Sequence, residues 1–106
     1  MTDQQKYSDN INKINVVIDK FFLNSPEIVQ IRSKDLMPEF IAAGIFPKNH
    51  RDGLPIRDLL RTLDTNHQLH LIPSVFADRK LKNVNWYFQN SKLEHQGYTQ
   101  TNILAQ

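Results

Sequence analysis

Residues 54–89 read LPIRDLLRTLDTNHQLHLIPSVFADRKLKNVNWYFQ, and two different periodicities meet inside them. Ile56, Leu59, Leu60 and Leu63 recur at helical spacing, with Arg57, Asp58, Arg61, Thr62 and Asp64 between them on the polar side. The spacing predicts a helix starting near Leu54, with Pro55 in its first turn, and ending near Asn66. Leu69 to Ala77 reads as a strand whose pairing Pro73 interrupts. Asp78 to Asn83 reads as a charged turn, and Val84 to Gln89 as the returning strand. Alternation puts Trp86 and Phe88 on one face of that strand and Tyr87 on the other, with core packing the expected use of these aromatics and stacking on single-stranded bases the alternative. A helix followed by a β-hairpin with a basic tip is therefore the decisive reading.

Upstream, Ser8 or Asp9 caps an expected first helix running to about Leu23, with apolar residues at Ile11, Ile14, Val17 or Ile18, and Phe21 or Phe22. Asn24-Ser25-Pro26 breaks it. Ile28 to Ile31 reads as a short strand. A second helix, capped by Ser33 or Asp35, is expected over Lys34 to Ala43, with Leu36, Met37, Phe40 and Ile41 inward and Gly44 at its C-cap. Pro38 belongs in its first turn. Phe46 to Gly53 is a polar loop.

The order is helix, short strand, helix, loop, helix, hairpin. It resembles the winged helix-turn-helix family, on Ile28 to Phe46, Leu54 to Asp64 and Leu69 to Phe88. The expected fold class is thus α+β: three helices, a C-terminal hairpin wing and a short extra strand. Residues 1–8 read as a polar arm, 9–89 as the winged-helix domain and 90–106 as a polar tail. The resemblance implies a third helix entering the major groove and a hairpin touching the adjacent backbone. The loop before the third helix is longer than the usual turn of about 3–4 residues.

Composition narrows the function classes. A chain of 106 residues is one domain and needs no covalent staple. There is no Cys, so no disulfide, thiolate metal site or cysteine nucleophile is available. The first ten residues lack the apolar stretch of a signal peptide, and the nearly apolar run Phe40 to Phe46 is too short to span a bilayer. A cytoplasmic, non-membrane protein is expected.

The net charge is +2, but its distribution is uneven. Residues 48–82 hold seven basic side chains (Lys48, Arg51, Arg57, Arg61, Arg79, Lys80, Lys82) against four acidic (Asp52, Asp58, Asp64, Asp78). His50 lies there too. Lys48, His50, Arg51, Arg57, Arg61, Arg79, Lys80 and Lys82 are the candidate DNA-binding residues. Arg57 and Arg61, one turn apart, suit guanine edges or phosphates; the plain alternative is a solvated face with Arg61 paired to Asp58 or Arg57 to Asp64. The cations at the hairpin tip suit phosphates, or simply keep a sheet edge soluble. Lys48, His50 and Arg51 would reinforce anion attraction at the third helix's N-terminus.

No enzyme is expected. His50-Arg51-Asp52 mimics the catalytic loop of protein kinases, but there is no glycine-rich loop and too little chain. His67 and His70 straddle an expected helix end, so neither a metal nor another cofactor is expected. The expected partner is double-stranded DNA, with the chain acting in transcription regulation. The apolar stripe of the first helix, residues 9–23, is wider than one core face needs and points to a homodimer. The rival readings are a winged helix used for protein contact and, further off, a small hydrolase or nuclease.

Overall fold

Buried residues recur along the first helix at Ile11, Ile14, Ile18 and Phe22, the three-and-four spacing that turns one face of a helix inward. The computed structural model of the chain describes residues 3–90. Helix α1, Asp3–Asn24, begins ahead of the cap expected at Ser8 or Asp9, so the described part of the expected polar arm forms its first turns. It stops where Pro26 forbids continuation, with the Ser25 amide donating to the Phe21 carbonyl (3.0 Å). The expected tail, from residue 91 onward, lies outside the described residues.

Strand β1, Gln30–Arg32, lies later than the Ile28 to Ile31 reading. The expected single helix over Lys34 to Ala43 divides into a 3-10 turn, Ser33–Leu36, and a short helix α2, Met37–Ala42. Pro38 is the reason: it sits in the first turn of α2, where its missing N–H costs nothing. Neither segment has a side-chain cap, so Ser33 and Asp35 do not act as caps. Gly44 closes α2 at φ +78°, with its amide donating to Ile41 and the Ile45 amide to Phe40, the paired bonds of a Schellman ending.

Helix α3, Leu54–Thr65, matches the expected extent closely. Ile56, Leu60 and Leu63 are buried and Leu59 is half-buried. Its C-terminus uses the same device as α2 with a different residue: His67, at φ +58°, donates to Asp64 and Gln68 donates to Leu63. Leu69 to Leu71 is a 3-10 turn and not a strand. Strand β2 starts only after Pro73, at Val75–Arg79, and β3 is Val84–Gln89.

The three strands form one antiparallel sheet in the order β1-β3-β2. The register pairs Ile31 and Val75 with Phe88 on the inner face, and Arg32 and Phe76 with Tyr87 on the outer one. Trp86 and Phe88 are buried, and Phe88 meets Phe40 of α2 edge-on at 6.0 Å. The protein among its described residues is therefore α+β, three α-helices packed on one face of a three-stranded antiparallel sheet.

Gly53 sets how closely α3 approaches the 3-10 turn. Its φ is +92°, and a Cβ there would stand 2.4 Å from the Lys34 Cβ and 2.9 Å from its Cα. Gly44 has comparable backbone geometry but open space around it. Gly44→Ala is expected to cost about 1–2 kcal/mol, the left-handed penalty alone. Gly53→Ala is expected to cost more, since backbone must move as well, with urea-unfolding midpoints as the measurement.

Candidate nucleic-acid interface

The loop before α3 contains three consecutive left-handed residues, Arg51, Asp52 and Gly53. This left-handed turn is closed by the Leu54 amide donating to the His50 carbonyl (3.0 Å) and the Gly53 amide donating to Asn49 Oδ1 (2.6 Å). Non-glycine residues in that region cost roughly 1–2 kcal/mol each. The turn directs the Arg51 carbonyl at the Arg57 guanidinium, which donates through Nη2 at 3.0 Å. Arg57 is consequently half-buried, with an Nε that has no partner, and does not point into water as a purely solvated face requires.

Arg57 and Arg61 form one wall of a cleft of about 690 Å³. Arg32, Ser33 and Lys34 form another, and the β3 side supplies Lys82, Asn83, Val84, Asn85, Trp86 and Tyr87. Five cations line it against one carboxylate, Asp52. Three of the cations are paired locally: Arg32 with Asp35 (3.1 Å), Lys34 with Asp52 (2.8 Å) and Arg61 with Asp58 (2.6 Å). Exposed pairs of this kind contribute only about 0–1 kcal/mol each, so an incoming phosphate can replace the carboxylate at little cost. Arg57 and Lys82 have no carboxylate partner among the described residues. The hydrogen bond and charge of Lys34, with Arg57 and Arg32 adding to them, hold the Asp52 carboxyl below the ordinary carboxylate range.

The structure brings together Arg57, Arg61 and Lys82 from the candidate set and separates the rest. Lys48 and His50 are exposed in the loop away from the cleft, and Arg51 contributes its carbonyl to holding Arg57. The amides of Gly53 and Leu54 already have partners within the loop, so the helix terminus does not present them to an anion. Arg79 lies in β2 and not at the hairpin tip, its guanidinium gripping both Asp64 oxygens (3.0 and 2.9 Å). That grip also takes the carboxylate that Arg57 was an alternative partner for. Lys80 pairs with Asp78 (3.3 Å).

Arg32, Lys34 and Asn85 also line the cleft and are not singled out by the sequence, whereas Asn83 and Tyr87 belong to the hairpin run and the aromatic triplet already read there. The signal available was Arg32 at the end of the first strand: had that strand been paired with the last one, Arg32 would have fallen opposite Tyr87. His67 and His70 are both exposed, and no cluster of three or more potential metal ligands occurs among the described residues. No described helix is long and apolar enough to cross a membrane. Comparison with protein families, with characterised proteins and with solved structures gave no match.

The Arg79 hydrogen bonds also hold the Asp64 carboxyl below its ordinary value of about 4. A carboxyl whose native pKa is lowered stabilises the fold above its unfolded pKa and loses that contribution as pH falls through the native one. Carboxyl NMR titration of Arg79→Ala is therefore expected to return Asp64 toward about 4. The melting-temperature difference between wild type and variant should shrink as the pH drops below that value.

Proposed function

We propose that the chain is a winged-helix domain that binds double-stranded DNA and acts as a transcriptional regulator, a binding protein and not a catalyst. The observation that carries this reading is the cleft between α3 and the hairpin side of the sheet, with five cations against a single lining carboxylate. A phosphate backbone running along it would meet Lys82 and Arg57 first and then exchange for the carboxylates on Arg32, Lys34 and Arg61. The sheet order β1-β3-β2, with two helices between β1 and the hairpin, adds support for the winged-helix part. Arg61, exposed on α3 and free to leave Asp58, is the side chain best placed to read a base edge. Arg57 serves as the fixed contact, since the left-handed turn already orients it.

A rival reading, a module for protein contact, draws on Leu81, which is 98% exposed at the hairpin tip. Binding titrations on selected and random duplexes at several salt concentrations separate the two. Lys82→Ala is expected to weaken binding equally on all sequences and to lower the salt slope by roughly one unit. Arg61→Ala is expected to cost about 1–3 kcal/mol on a selected site and much less on random DNA. Absence of salt-dependent duplex binding at low ionic strength would end the DNA reading and leave the protein-contact one.

The proposal includes a two-fold dimer through α1. Val16 and Leu23, seven residues apart and so on one side of the helix, are 60% and 68% exposed. A second copy packing there would double the DNA contacts. Sedimentation at high micromolar concentration is expected to show dimer; monomer alone under those conditions rules it out.

A further inference from the structure

The outer face of the sheet carries an aromatic pair that the cleft does not use fully. Phe76 of the edge strand β2 is 41% exposed and stands across from Tyr87 of β3, with ring centroids 6.3 Å apart. Tyr87 also lines the cationic cleft, so the aromatic face and the cleft are continuous. Arg32 is opposite Tyr87 on its other side. Gln30 and Gln89, hydrogen-bonded to one another at 3.1 Å, and Asn85 share this face, and each amide offers both donors and acceptors. The one acid on it, Asp78, is paired with Lys80.

A cation-lined groove beside exposed rings is what single-stranded nucleic acid requires: charge along the backbone and a flat apolar surface for unstacked bases. We propose that Phe76 and Tyr87 form a stacking platform for unpaired bases, so that the preferred ligand is a duplex continuing into a single strand. The cleft holds the phosphates at the junction, and the bases of the unpaired strand lie on the outer face of the sheet. This rests on the cleft being a phosphate site, and it narrows the ligand of that site.

The test uses three probes with one common duplex: blunt, extended by a single strand of thymidines, and extended by an abasic strand of equal length. The abasic strand carries the same phosphates without bases, so it isolates stacking from charge. Wild type is expected to bind the thymidine extension about tenfold more tightly than the abasic one. Phe76→Ala should erase that difference and leave blunt-duplex affinity as it was. Phe76→Trp supplies a second readout: its emission should be quenched by the thymidine extension and not by the abasic one. Equal affinity of wild type for the two extensions, with blunt duplex still bound, overturns the platform while the duplex reading stands. Failure to bind any probe at low salt removes the cleft as a phosphate site, and the platform with it.

Discussion

The close approach of Gly53 to Lys34 determines most of what the cleft is. Without a side chain at 53, the start of α3 rests directly on the 3-10 turn that follows β1. Two segments distant in sequence then present their cations to the same space, Arg32 and Lys34 from one, Arg57 and Arg61 from the other. The left-handed turn at Arg51 and Asp52 follows from the same constraint. The chain must reverse sharply to enter a helix that begins against another element, and it does so with its carbonyls directed at Arg57. Strain of this kind persists only where surrounding contacts over-determine it. Here the Asn49 side chain, the His50 carbonyl and the Lys34–Asp52 pair supply those contacts.

Electrostatically, the cleft holds its cations in two conditions. Arg57 and Lys82 make no salt bridge among the described residues, though the charge of Arg57 is felt at Asp52, whereas Arg32, Lys34 and Arg61 are neutralised by weak exposed pairs. Such an arrangement keeps like charges from repelling one another in the free protein and leaves them available to a polyanion, because the local carboxylates are only marginally held. Arg79 and Asp64 show the opposite use of charge. Their bidentate bond ties β2 to α3, a geometric role.

Beneath the cleft, Phe40 and Phe88 join the helices to the sheet by an edge-on contact. Strand alternation does the rest. Once Trp86 and Phe88 face the core, Tyr87 and Asn85 must face outward, and the register carries Phe76 and Arg32 to the same side. The outer face is thus a by-product of core packing, and its chemistry is that of residues relieved of a packing role.

What the residues alone determined was local. The extent of α3 and its inward face, the break at Pro26, the αL ending at Gly44 and the alternation of β3 all follow from spacing and from backbone chemistry within a few positions. Pro38 and Pro73 were legible as obstacles, but where the chain would resume was not, because that depends on which neighbours remain to be paired. Of the candidate site, Arg57, Arg61 and Lys82 were found from charge and helical period. Arg32 and Lys34 were not, since nothing near them in sequence announces that β1 lies beside β3. The place of Arg79 was likewise decided by tertiary structure: its bidentate bond to Asp64 on α3 is a property of distances between elements, not of order along the chain, whereas the Lys80–Asp78 pair is local to the hairpin.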